Sequence, residues 1–244
     1  MNKKLFLLIL ICGFTTQMKA QSSKIDSVAV SILDQMSAMI GDMSSCSVTV
    51  NTNYDVHNQE LGLIKHSNNV QIFLQGPDKL LIHAEGDKGS RAFYYNGKTL
   101  CYYSFTKNQY AEIETPPTIM GMIDSVNKTY GIEFPAADFL YPTFVDDIIA
   151  GANSLAYLGI TKVDGKECFH IAGTSDDKTF QFWISNDPFY LPVKMVIVYT
   201  KKEMNPQYEA VLSDWKINPV FPPALFEFKA PPRAIKISMI SKKK

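Results

Sequence analysis

Polar and apolar residues alternate with a period of two along most of this chain, and only a few stretches switch to the three- and four-residue steps of a helix. The clearest such stretch covers residues 23–40. Ile25, Val28, Ala29, Ile32, Leu33, Met36, Met39 and Ile40 define one apolar face there. Ser23 with Asp26 supplies a capping-box-like start, and Gly41 is the expected stop. Strand patterns follow. Cys46, Val48 and Val50 alternate with polar neighbours, as do Tyr54 and Val56, and then Val70, Ile72 and Leu74 before the turn Gly76-Pro77-Asp78. Further strands are predicted over residues 80–84, 92–95, 99–103 and 110–113. Asn96-Gly97 reads as a two-residue hairpin turn that needs positive φ.

Pro116-Pro117 interrupts this first set. A helix is predicted over residues 118–130, with Ile119, Met122, Ile123 and Val126 on one face and Gly131 as its stop. Residues 134–141 form an apolar connection, and a short helix over 143–150 carries Phe144, Ile148 and Ile149. A second set of strands is predicted over residues 155–163, 167–172, 179–184, 193–200 and 208–217. Asp164-Gly165, Asn186-Asp187-Pro188 and Asn205-Pro206 are its turns. Residues 222–225 read as one helical turn and Phe226-Glu227-Phe228 as a short final strand.

The order is therefore one helix, about five strands, two helices, then about five or six strands. It lacks the alternation of strand and helix that a doubly wound sheet requires. The predicted fold class is α+β, mainly β: a single large, strongly bent antiparallel sheet, or half-open barrel, with the N-terminal helix and the two central helices plugging its concave face. So few helices against so long a sheet leave part of one face to be covered, closed off or filled.

Lys3 and Lys4 precede an apolar run over residues 5–14 that suits a signal peptide and is too short to span a bilayer. Cleavage is placed after Ala20, although Met18 is larger than the residue usual at that position. Cys12 follows Ile11, where lipidation needs a small residue. Residues 1–20 are thus expected to be a signal peptide and residues 21–244 a single domain, exported to the periplasm with no integral membrane segment. Cleavage removes Lys3, Lys4 and Lys19 and no acid, taking 24 basic residues to 21 against 24 acidic ones. That near-neutral balance gives no electrostatic footprint for nucleic acid. Three cysteines remain, Cys46, Cys101 and Cys168, each in an apolar strand pattern that favours buried free thiols.

Catalytic and metal-binding patterns are weak. Cys168 and His170 share a strand face, but no third group is identified to orient the histidine. Asp146-Asp147 and Asp176-Asp177 are adjacent pairs, and adjacent side chains diverge on a helix or strand. His57, His66 and His83 lack metal-ligand spacing. Phosphate-loop, nucleophile-elbow and zinc-protease motifs are missing from the sequence. No catalytic residue, metal or cofactor is expected, and the chain reads as a non-enzyme.

Large apolar side chains are plentiful, with 15 Phe and 12 Tyr. Met36, Phe93, Tyr95, Tyr102, Ile119, Met122, Ile123, Phe139, Tyr141, Phe144, Ile148, Phe182 and Met195 sit on the elements nearest the expected concavity, as ligand contacts or as a filled core. The helix from Thr118 and the 134–141 connection are the lid candidates.

The run Phe93-Tyr94-Tyr95-Asn96-Gly97-Lys98-Thr99-Leu100, with Tyr110-Ala111, Tyr130-Gly131-Ile132 and Pro135-Ala136-Ala137-Asp138, resembles an uncharacterised family of predicted periplasmic proteins. Tyr157-Leu158-Gly159, Cys168-Phe169-His170, Phe182-Trp183-Ile184, Leu191-Pro192, Trp215 and Phe226-Glu227-Phe228-Lys229-Ala230-Pro231-Pro232 extend the resemblance over nearly the whole mature chain. That family is similar in fold to the LolA/LolB lipoprotein carriers and the LppX-type lipid binders. The resemblance implies a bent half-barrel plugged by helices, with an apolar cavity for acyl chains. The basic residue that latches the lid in those carriers has no matching context at Arg91 or Arg233. The implied partner is a hydrophobic ligand such as an acyl chain or lipoprotein anchor. The alternative is an envelope protein partner, met by an interaction or stress-sensing module with a filled cavity, as in the RseB-type sensors.

Overall fold

The computed structural model describes residues 24–134 and 137–241. The expected signal peptide, Ser23, Pro135-Ala136 and Lys242-Lys243-Lys244 lie outside the described residues. Helix α1 (Ser27–Gly41) leads into six strands: β1 (Ser45–Asn58), β2 (Gly62–Gln75), β3 (Lys79–Gly86), β4 (Gly89–Tyr95), β5 (Thr99–Ser104) and β6 (Gln109–Glu114). Helix α2 (Ile119–Tyr130), a 3-10 helix (Ala137–Leu140) and helix α3 (Phe144–Gly151) follow. The chain then forms β7 (Ser154–Val163), β8 (Lys166–Thr174), β9 (Thr179–Ser185), β10 (Pro192–Val198) and β11 (Gln207–Ile217). A second 3-10 helix (Pro223–Phe226) precedes β12 (Ile235–Lys236).

All twelve strands join one sheet in the order β12-β6-β5-β4-β3-β2-β1-β11-β10-β9-β8-β7. The pairing of β1 with β11 fuses the two meanders, and the sheet curves without closing. This is the α+β half-barrel that the sequence pattern predicts.

Directly opposed residues share a face, so the register assembles apolar rows across the concave side. One row runs Ile72, Ile82, Phe93, Tyr102 across β2 to β5. Another runs Ala210, Met195, Phe182, Ile171 across β11 to β8. Leu33 and Met36 of α1, Met122 and Val126 of α2 and Phe144 of α3 pack into the same cluster as these rows. A smaller cluster lies on the convex face, where Phe226 covers Leu81 and Ala92. Phe228 continues it against the rings of Tyr94, Tyr103 and Tyr110 at 5.2–5.5 Å.

Both sheet edges are partly covered by chain termini. Ile235 and Lys236 pair in parallel with Gln109 and Tyr110 of β6. At the other edge, the Asp26 N–H donates to the Leu155 carbonyl at 2.9 Å and the Leu155 N–H to the Lys24 carbonyl at 2.8 Å. Asp26 also starts α1, its carboxylate accepting from the N–H groups of Val28 at 2.8 Å and Tyr157 at 3.1 Å. These two amides, Tyr157 first, hold its pKa below the ordinary value.

Several sequence boundaries are corrected. Asp26 caps α1, and Gly41 falls inside the helix with Asp42 as its cap. β1 and β2 run through a polar stretch that lacks clean alternation, because paired side chains hold the hairpin on its solvated side: Asn69 donates to Asn51 at 2.8 Å, Ser67 to Asn53 at 2.7 Å and Lys65 to Asp55 at 2.8 Å. Asn96-Gly97 is part of a three-residue loop over residues 96–98, in which only Gly97 has positive φ, at 89°. The Asn96 side-chain oxygen accepts from the N–H groups of Lys98 and Thr99 and widens that turn. Asp164 (φ 48°) and Gly165 (φ 82°) do make the two-residue turn. Phe226-Glu227-Phe228 is not a strand: Phe226 ends a 3-10 helix, and the last strand is β12.

Phe226 is 1% exposed although it sits outside the barrel. Phe226→Ala is expected to lower unfolding stability by about 3–5 kcal/mol, read from the urea midpoint at unchanged slope. The Glu209 carboxylate is held below its ordinary value of 4.5, chiefly by the hydrogen bond from Lys194, whose Nζ lies 2.7 Å away. A depressed folded pKa contributes stability that is present above the unfolded value and lost as pH falls through the folded one. The stability gap between the parent and Lys194→Met is therefore expected to shrink below about pH 4.5, measured by urea unfolding across that range.

Candidate functional site

Helices and concave face do not meet everywhere. The larger hollow, about 840 Å³, opens beside α2 and the 3-10 helix. Val70, Ile82, Ala84 and Phe93 floor one side of it, and Met195 and Ile197 the other. A second hollow of about 390 Å³ lies between α3 and strands β9 and β10, lined by Phe144, Ile148, Phe180 and Phe182. Asp138, Tyr141, Met195 and Ile197 border both. Residues 138–141 thus bridge two hollows that share a floor. The Tyr141 hydroxyl fastens this bridge to α2 by donating to Asp124 at 2.7 Å. Burial, followed by that bond, raises the Tyr141 hydroxyl pKa well above its usual value.

The structure distributes the sequence candidates unevenly. Phe93, Ile123, Tyr141 and Met195 line the large hollow. Phe144, Ile148 and Phe182 line the second with Tyr141 and Met195. Phe139 borders a narrow gap of about 40 Å³ beside Ile40 and Trp215. Met36, Tyr95 and Met122 are 0% exposed and Ile119 is 6% exposed, all in the packed core. The Tyr95 hydroxyl is used internally, donating to the Pro116 carbonyl at 2.7 Å. Tyr102 packs 5.3 Å from the Phe93 ring. Sequence reasoning passed over the smaller floor residues, Val70, Ile82, Ala84 and Ile197. Strand parity carried a signal for them: Ile197, for example, lies two residues from Met195 on the same strand.

Polar groups that were not among the cavity candidates edge the large hollow: Asn68, Arg91, Glu133, Asp138, Tyr199 and Tyr208. Arg91 is opposite inward-facing Ala84 on β3, which turns it into the concavity. Arg91, Glu133 and Asp138 have no ion-pair partner among the described residues. Desolvation pushes the Asp138 carboxyl up, Lys178 draws it down and Glu133 pushes it up again. Its exposed outer edge limits the desolvation. Tyr199 and Tyr208 are both raised, first by burial and also by Glu133 and Asp138.

Cys168 is fully buried, and burial raises its thiol pKa while Lys166 opposes the rise. His170 stacks on Trp183 at 4.4 Å and bonds Gln181 at 2.9 Å. Burial also lifts Cys46 to about 11 and Cys101 to about 12, leaving protonated, unreactive thiols at neutral pH. No group of His, Cys, Asp and Glu among the described residues is arranged to hold a metal ion.

The sequence profile of the family described as "Predicted periplasmic protein (DUF2092)" matches residues 29–240. The chain belongs to that family. No curated protein matches it. Among solved structures, Mycobacterium tuberculosis lipoprotein LppX is 17% identical over 80% of this chain and 98% of its own, with a TM-score of 0.50. An uncharacterized conserved protein from Thermus thermophilus is 11% identical over 86% of this chain and 99% of its own, at 0.48. LprF from Mycobacterium bovis is 16% identical over 86% and 98%, at 0.45. The fold is thus of the LppX half-barrel kind, one of those implied by the sequence resemblance. No helix among the described residues is long and apolar enough to cross a membrane.

Tyr141→Phe removes only the bond to Asp124. It is expected to cost about 0.5–1.5 kcal/mol of stability and to speed amide exchange at residues 138–141, read by mass spectrometry, while β-strand amides stay protected.

Proposed function

We propose that this chain is a non-enzymatic periplasmic binding protein that holds an acyl chain, a lipoprotein anchor or another hydrophobic ligand in its half-barrel. The observation that carries the reading is the apolar floor shared by the two hollows, left uncovered on the concave face. A volume of about 840 Å³ falls within the usual range of small-molecule sites. Burying each methylene contributes about 0.8 kcal/mol, so a ten-carbon stretch contributes about 8 kcal/mol before ordering costs. That term alone corresponds to about micromolar binding, and ordering costs weaken it from there. The bridge beside this floor is held by the Tyr141–Asp124 bond and by Phe139 packed against Phe144 and Phe182.

Native mass spectrometry of protein purified from a periplasmic extract is expected to show a lipid-sized adduct that solvent extraction removes. The emptied protein should take up the neutral dye phenylnaphthylamine. Ile197→Asp, at the half-buried floor, should weaken that uptake at least tenfold with the circular dichroism spectrum unchanged. A clean apo mass with no uptake of dye or phospholipid would sink the proposal.

A second reading has its own observation. Leu158 and Ile160 are each 56% exposed on edge strand β7, whose outer portion lacks a strand partner among the described residues. This edge suits a protein partner that adds a strand. An empty protein that crosslinks to an envelope protein through β7 would favour it.

A further inference from the structure

We propose that the polar end of the large hollow selects a phospholipid head group carrying both an anion and a primary ammonium, a phosphoethanolamine type of head. This deepens the binding reading above and rests on it. Charges of both signs face the hollow without ion-pair partners among the described residues: Arg91 on one side, Glu133 and Asp138 on the other. A head of one sign would leave the opposite set facing a like charge, whereas a zwitterion satisfies both.

Asn68 stands in the same wall at 9% exposure, its Nδ2 donating to Thr52 Oγ1 at 3.4 Å and its Oδ1 packed against Gly86. Lys202 also lines the hollow without an ion-pair partner among the described residues, its Nζ 3.9 Å from the Tyr199 ring centroid, and so joins Arg91 as a cation there. The head therefore places its phosphate at Arg91 and its ammonium toward Glu133 and Asp138, with the acyl chain along Val70, Phe93 and Ile197.

The test is calorimetry on the delipidated mature chain with lauroyl lysophosphatidylethanolamine, lauroyl lysophosphatidylglycerol and dodecyl maltoside, each below its micelle concentration. The ethanolamine lipid is expected to bind at least tenfold more tightly than the glycerol lipid. The exposed double variant Glu133→Gln/Asp138→Asn should erase that preference. The control Glu60→Gln/Glu114→Gln, with the same net charge change in the exposed β1–β2 turn and at the exposed end of β6, should keep it. Arg91→Gln should weaken both phospholipids and leave the maltoside unchanged. Equal affinities for the two phospholipids, or a preference that survives the cleft double variant, would overturn the head-group assignment while maltoside binding upholds the binding reading. Failure of all three amphiphiles to bind would overturn both.

Discussion

A twelve-stranded sheet, antiparallel except where β12 joins β6, that bends without closing must cover its inner face with something other than itself. The rest of the molecule follows from that constraint. Three helices and one 3-10 helix are drawn into the concavity because Leu33, Met36, Met122, Val126 and Phe144 have no other apolar surface to meet. These helices are short, and the trough is long. The uncovered remainder is the hollow floored by Val70, Ile82, Phe93 and Ile197. Candidate function is therefore located where covering material runs out.

The same openness creates two edges, and the chain spends its ends on them. The Lys24–Asp26 segment bonds to Leu155 before α1 begins. Beyond β11, the chain crosses the convex face through Phe226 and Phe228, then adds β12 to β6. The convex aromatic cluster anchors this strap, which explains why a fully buried phenylalanine sits outside the barrel. Blocking edges by short segments and charge is a common defence against strand addition. Here the outer part of β7 is left with exposed Leu158 and Ile160.

The hollow is chemically two-sided. Its floor suits hydrocarbon, and its opening carries Arg91, Glu133 and Asp138. An amphiphile matches that arrangement better than a wholly apolar ligand. The thiols and histidines that might have suggested chemistry are instead absorbed by packing: Cys168 by burial, His170 by Trp183 and Gln181.

Local pattern alone determined a good deal of this protein. Period-two alternation marked most strands, and the face formed by Ile32, Leu33 and Met36 marked α1. The absence of a strand-helix rhythm excluded a doubly wound sheet. The cavity was only partly legible. Phe93, Phe182 and Met195 were cavity candidates and border the hollows, while Met36 and Tyr95, candidates on the same grounds, are enclosed completely by the core. Alternation tells which face a side chain takes and cannot tell whether a helix lands on it. Arg91 was weighed only as a lid latch and set aside for want of a matching context, and Asn68 was passed over because polar residues on a strand ordinarily mark its wet face. Only the register, with Arg91 opposite Ala84 and Asn68 opposite Thr52, turned them inward. Tertiary structure decided these points because they depend on strands far apart in sequence meeting in one row, and no local period encodes that meeting.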